Sequence, residues 1–285
     1  MKTLGVIANC GKERAATVLG RLAGRAADFG LELIADEATA ALLKSGKALA
    51  LDELFDAVDG VIALGGDGTM LRVVRAMGER DKPIMGVNIG GLGFLTSVAE
   101  EELDRAMECI AAESCDVSIR SMAECRVVSG GGEVAQYRAL NEIVIGSTSS
   151  RVVVLDVSID GDDVTSYVCD GLVVSTPTGS TGYSISAGGP ILTPGTPAFV
   201  LSLICPHTLS SRPLVVPDSS EITVTAARGT GDFLLTADGQ VGQTLGEGDS
   251  AVVRRSGHSV RVLHLPGHSY FAVLRQKLNW RGSSI

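Results

Sequence analysis

The stretch that decides the fold is Val61-Ile62-Ala63-Leu64-Gly65-Gly66-Asp67-Gly68-Thr69. Its four apolar residues predict a buried strand, and the paired glycines that follow allow a sharp exit that side chains would block. After Thr69, apolar residues recur at helical spacing along one face, and Gly78 is a stop signal. A strand, a glycine-rich turn and a helix N-terminus together predict a phosphate site, because unpaired backbone N–H groups and the helix dipole point at the anion.

Asp67 is the unexpected residue of this turn, because a carboxylate repels phosphate. Three interpretations are open at the level of sequence: Asp67 stabilises the turn, holds a metal ion or accepts a proton. The flanking glycines and the strand before them favour a chemical role.

Short apolar strands alternate with helical patterns over the first hundred-odd residues. The predicted strands are Leu4–Ala8, Leu31–Ala35, Val61–Leu64 and Ile84–Val87, and the last predicted helix is Ala99–Ala112, with Thr96 or Ser97 as its cap. This alternation predicts a Rossmann-like parallel α/β sheet with helices on both faces. Ligands bind such sheets at the carboxyl ends of the strands, where Asn9-Cys10-Gly11-Lys12 and the Gly65–Thr69 turn both fall.

The pattern changes at about Ile119, after which short β-branched runs are separated by turn signals such as Asp160-Gly161-Asp162. These runs predict a C-terminal antiparallel β-sandwich. We therefore expect an α/β domain over residues 1–117 and a β-rich domain over 118–265. The final segment, 266–285, has helical spacing from Tyr270 to Trp280 and is expected to pack back on the first domain.

Composition excludes several classes of protein. The chain has 285 residues and a net charge of −9, which argues against general nucleic-acid or membrane binding, since both favour basic surfaces. The six cysteines and four histidines show no zinc-ligand spacing, so the cysteines are expected to be reduced, small apolar residues. The N-terminus lacks signal-peptide architecture and the longest apolar stretch, Ala198–Cys205, is too short to span a membrane, so we expect a cytoplasmic protein.

Two further stretches carry polar groups suited to a nucleotide. Asn141-Glu142 lies at the edge of a predicted strand, where a merely solvated pair is the alternative. The block from Asp170 to Pro190 combines a buried strand with closely spaced hydroxyls and glycines. Hydroxyls and glycine N–H groups suit ribose and phosphate oxygens, and a flexible linker would not begin with a buried strand.

These three stretches, in this order and spacing, resemble the bacterial-type NAD kinase (ATP-NAD kinase) family. The Gly65–Thr69 turn alone is shared with lipid kinases and phosphofructokinases, whereas Asn141-Glu142 and the Asp170–Pro190 block narrow the resemblance. Further segments that resemble the family are Leu92-Gly93-Phe94-Leu95, Pro206–Leu214 and Asp238-Gly239-Gln240. The resemblance extends over most of the chain.

The resemblance implies transfer of a phosphoryl group from ATP or another donor to the 2′-hydroxyl of the adenosine ribose of NAD. It implies a divalent metal, Mg²⁺ before others, a homodimer or homotetramer, and Asp67 as the catalytic carboxylate and general base. The residues implied to bind NAD are Asp67, Gly68, Phe94, Asn141, Glu142, Asp170, Thr178, Thr181, Gly182, Tyr183, Ser186 and Gln240. Gly182 departs from the family, which often has Ala there.

The phosphate donor is assigned to the glycine-rich turn and to cations near strand ends. The donor-binding candidates are Gly65, Gly66, Thr69, Lys12 and Arg72, with Arg14 and Arg75 as weaker ones. A solvated surface role is the alternative for each cation. The direct metal ligands and the choice among ATP, other nucleoside triphosphates and polyphosphate stay open.

Two other functions remain open from the sequence. A lipid kinase would share the glycine-rich turn but needs an apolar acyl-chain cleft, which no stretch of this chain demands. A non-catalytic NAD(P)-binding regulator would keep the fold but is expected to lose Asp67 or the Asn141-Glu142 pair, and both are present.

Overall fold

A computed structural model describes residues 1–43, 46–91, 93–147, 152–227 and 233–280. The chain divides into two compact units. The first unit is Met1–Ile119 together with the chain from Val260 onward, and the second is Arg120–Ser259. Among the described residues, none of the helices is long and apolar enough to cross a membrane.

Strands and helices are numbered in chain order. The strands are β1 Thr3–Ala8, β2 Glu32–Asp36, β3 Lys47–Leu49, β4 Gly60–Gly65, β5 Ile84–Asn88, β6 Val98–Ala99, β7 Asp116–Ser129, β8 Gly132–Ala139, β9 Glu142–Ser147, β10 Val153–Ile159, β11 Asp162–Cys169, β12 Gly171–Ser175, β13 Ala198–Ile204, β14 Leu214–Pro217, β15 Ile222–Ala226, β16 Phe233–Ala237, β17 Val241–Leu245 and β18 Ser250–His264. The α-helices are α1 Ala15–Asp28, α2 Glu37–Leu43, α3 Leu51–Ala57, α4 Asp67–Met77, α5 Leu103–Ala111, α6 Tyr183–Ser186 and α7 Tyr270–Lys277.

The first unit contains the predicted parallel sheet, in the strand order β3-β2-β1-β4-β5. Every residue of β4 is buried, as expected for a strand covered on both faces. Strand β1 lies between β2 and β4, with Val6 beside Ala35 and Ala8 beside Leu64. The carboxyl ends of these three strands therefore meet at one edge of the sheet, which confirms the expected α/β class.

One helix boundary predicted in this unit was wrong, and two elements were not predicted. Helix α4 begins at Asp67 rather than after Thr69, with Gly66 as its N-cap residue. Elements α2 and β3 were not predicted, because Thr39 is the only buried residue of α2 and no apolar periodicity marks it. The Thr39 hydroxyl accepts a hydrogen bond from the Ala8 N–H at 2.8 Å, a contact that the sequence does not predict.

The helix predicted at Ala99–Ala112 is also shorter than expected. A 3₁₀ turn occupies Glu100–Glu102, and α5 begins only at Leu103. Neither Thr96 nor Ser97 caps it, because the Thr96 hydroxyl bonds to other side chains and that of Ser97 bonds to His264 Nδ1 at 2.8 Å.

The second unit is the expected antiparallel sandwich. One sheet has the order β14-β13-β12-β9-β16-β17, and the other contains β11, β10, β15 and β18, with β7 and β8 alongside. Apolar residues from both sheets form one core, which includes Ile143, Leu172, Phe199, Phe233 and Val253. The apolar runs at 251–253 and 260–263, interpreted as two strands, belong to the single strand β18.

The expectation that all six cysteines are reduced was wrong for one pair. Cys109 and Cys115 form a disulfide, with their Cα atoms 5.3 Å apart. Glu113, at φ 52°, reverses the chain after α5 and returns Cys115 to the last turn of the helix. Because the pairing depends on this reversal of the chain, the spacing of the cysteines in the sequence does not predict it.

Candidate functional site

Asp67, at the start of α4, lies where the chain leaves β4. Its carboxylate accepts hydrogen bonds from the backbone N–H groups of Phe94 at 2.8 Å, Leu95 at 3.0 Å and Thr96 at 3.0 Å. The Thr96 hydroxyl donates a fourth, at 3.1 Å. In this conformation Asp67 holds the segment from Phe94 to Thr96 against the start of α4, which is the turn-stabilising role that the sequence left open.

The close approach of this segment depends on Gly93. A Cβ atom at position 93 would stand 1.9 Å from Asp67 Oδ1 and 2.4 Å from Thr96 Oγ1. The Thr96 hydroxyl is buried and also accepts a hydrogen bond from Asn88 Nδ2 at 2.7 Å. A buried chain of hydrogen bonds therefore runs from Asn88 through Thr96 to Asp67. Leu92, which belongs to the same family-like segment, lies outside the described residues.

A cavity of about 510 Å³ opens at the carboxyl ends of β1, β2 and β4. Its walls are Ala8, Asn9, Cys10, Lys12, Asp36, Ala38, Gly66, Gly68, Thr69 and Arg72. Among the described residues, a Cβ atom at Gly66 or Gly68 would meet nothing within 4 Å, so a ligand in the cavity can approach the backbone closely at these two glycines. Gly65 has a different role, because its Cβ would stand 2.3 Å from Thr69 Oγ1.

Two cations of this cavity are held by backbone carbonyl groups. Arg72 Nη2 donates to the carbonyl oxygen of Ala8 at 3.1 Å, and Lys12 Nζ donates to that of Ile89. Each side chain retains further donors for an anion. Arg14, in contrast, is ion-paired with the buried Glu100 and does not line the cavity.

Asn141 and Glu142 lie at the start of β9 in the second unit. The Asp238 carboxylate accepts hydrogen bonds from the backbone N–H groups of Leu140 at 2.9 Å, Asn141 at 2.7 Å and Glu142 at 3.2 Å. Asp238 occupies the turn between β16 and β17 with φ 53°. This turn therefore orients the pair from almost a hundred residues away in sequence.

Glu142 is buried, and burial together with the nearby Asp238 carboxylate raises its pKa to about 7, against an opposing hydrogen bond from the Tyr183 N–H. Two glycines make room beside it. A Cβ at Gly179 would stand 2.1 Å from the Asn141 carbonyl oxygen, and one at Gly182 would stand 2.9 Å from Glu142 Oε2. An Ala at position 182 therefore requires the Glu142 carboxylate to shift.

Within the described part of the second unit, three buried oxygen atoms near the start of β9 have no hydrogen-bond partner. They are Asn141 Oδ1, Glu142 Oε2 and Thr178 Oγ1. Buried polar atoms are normally paired, so an unpaired group of this kind calls for a ligand or a functional explanation. Amide, carboxylate and hydroxyl oxygens can accept hydrogen bonds from sugar hydroxyls or bind a hard cation.

The remaining candidates for NAD binding differ in exposure. Tyr183 and Ser186, on α6, are exposed, while Thr181, Gly182 and Gln240 are half-buried. Phe94 is half-buried in the first unit, with Lys277 Nζ 5.8 Å from its ring centroid.

Asp170 lies apart from the Asn141–Glu142 pair within the second unit. It is exposed and precedes β12, whereas Glu142 pairs with Ser175 at the other end of that strand. Five residue steps along a strand put the two ends about 16 Å apart.

Sequence reasoning missed three residues of these sites. Asp36 lines the cavity, Thr96 bonds to Asp67, and Asp238 holds the backbone at Asn141 and Glu142. The position of Asp36 directly after a parallel strand was a usable signal. Thr96 was interpreted as a helix cap and Asp238 lay in a family-like segment, but their actual contacts are long-range and no local pattern predicts them.

Comparison with known proteins gives a consistent result over the whole chain. Residues 4–114 match the ATP-NAD kinase N-terminal domain and residues 140–265 the ATP-NAD kinase C-terminal domain. The curated NAD kinase of Gemmatimonas aurantiaca is 40% identical over 283 residues, which cover 99% of this chain and 97% of that protein. The NAD kinase of Koribacter versatilis is 38% identical over 287 residues, which cover 98% and 99%.

Two solved structures share the fold. Yeast NADH kinase in complex with NADH superposes with a TM-score of 0.92 at 23% identity, covering 100% of this chain and 89% of that one. An NAD kinase from Archaeoglobus fulgidus in complex with ATP gives a TM-score of 0.79 at 25% identity, covering 98% and 100%.

Proposed function

The chain belongs to the ATP-NAD kinase family, and from this premise we propose that it transfers the terminal phosphoryl group of ATP to the 2′-hydroxyl of the adenosine ribose of NAD, making NADP. The observation that carries the proposal is the cavity at the carboxyl ends of β1, β2 and β4, where Gly66 and Gly68 expose backbone beside Lys12 and Arg72. Glycine backbone that a ligand can approach closely and two cations suit the phosphates of a nucleotide.

We assign the donor phosphates to Gly65, Gly66, Thr69, Lys12 and Arg72. Gly66, Thr69 and the two cations line the cavity, and Gly65 allows Thr69 to pack closely behind them. Phosphoryl transfer passes through a loose transition state, so positioning and charge neutralisation dominate catalysis. Lys12 and Arg72 supply that neutralisation.

We assign NAD binding chiefly to the β-rich part of the chain. The unpaired oxygens of Asn141, Glu142 and Thr178 accept hydrogen bonds from ribose hydroxyls. The other residues assigned to NAD are Gly68, Phe94, Asp170, Thr181, Gly182, Tyr183, Ser186 and Gln240.

Asp67 acts as the general base. As the 2′-hydroxyl oxygen attacks the terminal phosphorus, the O–H bond breaks and Asp67 takes the proton. The new O–P bond forms while the bond from phosphorus to the bridging oxygen of the leaving ADP breaks. To reach the hydroxyl, Asp67 exchanges part of its hydrogen bonding with residues 94–96 for a hydrogen bond to substrate, a rearrangement that unliganded sites commonly undergo.

A divalent metal ion, with Mg²⁺ as the first choice, fits the oxygen atoms of the Asn141–Glu142 pair. Asn141 Oδ1 and Glu142 Oε2 are hard donors without a partner. Within the described residues there is no group of three or more His, Cys, Asp or Glu side chains suited to a metal. We propose that these two oxygens bind ribose hydroxyls in one state of the reaction and hold the ion, together with substrate phosphates, in another. When bound, the ion neutralises charge on the transferred phosphoryl group.

We also propose a cytoplasmic homodimer or homotetramer. Several apolar side chains of the second unit are exposed, among them Leu209, which is 99% exposed, and Leu214 and Val215 on the edge strand β14. Exposed apolar groups on an edge strand favour association with a second copy. Sedimentation velocity of the full chain tests this, and a monomer at assay concentration contradicts it.

The test of the reaction is NADP formation by the purified chain from NAD, ATP and Mg²⁺. We expect turnover that stops when EDTA removes the metal. The lipid-kinase alternative is tested by offering diacylglycerol and sphingosine as phosphoryl acceptors in place of NAD. Bound NADP without turnover from ATP or polyphosphate supports the non-catalytic regulator and contradicts the proposal.

Replacing Lys12 by Ala is expected to raise the KM for ATP about tenfold to a hundredfold while the KM for NAD stays constant. Hydrogen bonds to charged groups contribute about 1.5–3 kcal/mol, which sets this range. Lys12→Gln is the matched control, because it keeps most of the side-chain length and a hydrogen-bond donor directed toward the Ile89 carbonyl but carries no charge. A Gln variant with the wild-type KM for ATP would show that Lys12 only supports the backbone.

A further inference from the structure

Asp36 is a buried carboxylate in a cavity otherwise suited to phosphates. It ends β2 and is only 9% exposed, yet it lines the same cavity as Lys12, Arg72 and the exposed glycines. A carboxylate repels phosphate, so its position next to a phosphate site needs a separate explanation.

Part of that explanation is structural. Asp36 Oδ1 accepts a hydrogen bond from the Thr39 N–H at 3.3 Å, which is the contact of a helix N-cap at the start of α2. The Thr39 hydroxyl in turn accepts the Ala8 N–H, so Asp36 is held at a set position beside the end of β1. Capping uses one oxygen only. In the described part of the chain, no hydrogen bond or ion pair engages Asp36 Oδ2.

The sheet separates Asp36 from the glycine-rich turn. Strand β1 lies between β2, which carries Asp36, and β4, which leads to Gly66 and Gly68. Two strand spacings put the ends of β2 and β4 about 10 Å apart. A ligand that spans the cavity therefore meets glycine backbone and Lys12, which binds the Ile89 carbonyl, at one side and a carboxylate at the other, with Arg72 at the end of β1 between them.

We propose that Asp36 binds the ribose hydroxyls of the phosphoryl donor and so selects a nucleoside triphosphate over inorganic polyphosphate. A nucleoside triphosphate presents anionic phosphates at one end and a neutral diol further along, which matches this charge pattern. A linear polyphosphate is anionic throughout and meets repulsion at Asp36. In dinucleotide-binding α/β folds an acidic side chain about 20 residues after the glycine-rich turn binds a ribose hydroxyl, so a carboxylate is a suitable partner for a sugar in a nucleotide site. The inference rests on the proposed function, since it concerns the donor of the same reaction.

The test compares ATP, 2′,3′-dideoxy-ATP and tripolyphosphate with the wild type and with Asp36→Ser. Serine keeps the N-cap but removes the second oxygen and the charge, and Asp36→Asn, an equally good cap, removes the charge alone. Affinities are measured by calorimetry without NAD, and kcat/KM is measured by NADP formation. Thermal unfolding of each variant confirms that the cap is kept.

In the wild type we expect ATP to bind about tenfold to a hundredfold more tightly than the dideoxy nucleotide, as for hydrogen bonds to a charged group. The Asp36→Ser substitution should lower the affinity for ATP by the same factor and leave the affinity for the dideoxy nucleotide unchanged. The variant should bind tripolyphosphate at least as tightly as the wild type does. The inference would be overturned if the wild type bound the two nucleotides with equal affinity. It would also be overturned if the variant lost affinity for ATP and for tripolyphosphate by the same factor.

The two failures are distinguishable. If no donor yields NADP but the calorimetric pattern holds, the proposed reaction fails and the nucleotide site stands. If NADP forms equally well from ATP and the dideoxy nucleotide, the reaction stands and the role of Asp36 fails.

Discussion

Replacing Asp67 by Asn is expected to lower kcat for NADP formation by about 10²- to 10⁴-fold while NAD still binds. This is the usual contribution of a positioned general base, and Asn keeps the shape of Asp but cannot take the proton. Steady-state kinetics with NAD and ATP give kcat, and NAD binding is followed separately by calorimetry. An Asn variant with near wild-type turnover contradicts the assignment.

Asp67 also holds residues 94–96, so the experiment needs a control for that role. Asn has one oxygen, which can retain the three hydrogen bonds now made to Oδ1, but its amino group would face the Phe94 N–H. Thr96→Val removes the hydroxyl bonds to Asp67 and Asn88 while leaving the carboxylate in place. Thr96→Ser restores the hydroxyl.

The two roles predict different patterns. If Asp67 is the base, Thr96→Val lowers kcat much less than Asp67→Asn does, and Thr96→Ser resembles the wild type. An equally large loss in Thr96→Val would mean that Asp67 acts only by holding the segment.

Replacing Glu142 by Gln is expected to stabilise the protein above pH 7 by up to about 3 kcal/mol and to leave its stability unchanged below pH 4.5. The pKa of Glu142 is raised from 4.5 to about 7, so between these values the folded protein binds a proton that the unfolded chain has released. Stability from this group is therefore fully present below pH 4.5 and is lost as pH rises through 7. A pKa difference of one between the folded and unfolded states corresponds to about 1.4 kcal/mol.

The measurement is the difference in unfolding midpoint between wild type and Glu142→Gln at several pH values, since other titrating groups cancel in the difference. Activity should move in the opposite direction. Ionised Glu142 is the form that accepts ribose hydroxyls, so kcat/KM for NAD in the wild type should rise through about pH 7 and stay low in the variant. Identical pH dependence of stability in both proteins would show that the Glu142 pKa is not raised.

Within the predicted fold, local pattern succeeded where burial is strong and failed where contacts are long-range. The run Val61–Leu64 predicted β4 because a strand covered on both faces must be apolar throughout. Helix α2 was not predicted because it buries only one of its residues, Thr39. The cap assigned to Thr96 was wrong because the Thr96 hydroxyl forms hydrogen bonds with Asp67 and Asn88 instead.

The sequence by itself determined the class of the fold and the chemistry of its motifs. A glycine-rich turn after a buried strand predicts a phosphate site, since glycine lets a ligand approach the backbone closely. Likewise, the change from alternating elements to short β-branched runs specifies a sandwich after a parallel sheet.

Only the tertiary structure decided the partners of the polar groups. Asp67 is bound by residues 27 to 29 positions away, and Asp238 holds the backbone at Leu140 to Glu142 across 96 to 98 positions. The raised pKa of Glu142 and the placement of Asp36 in the wall of the cavity at the ends of β1, β2 and β4 arise in the same way. Hydrogen bonding and desolvation depend on distances in space, and local sequence patterns carry no record of those distances.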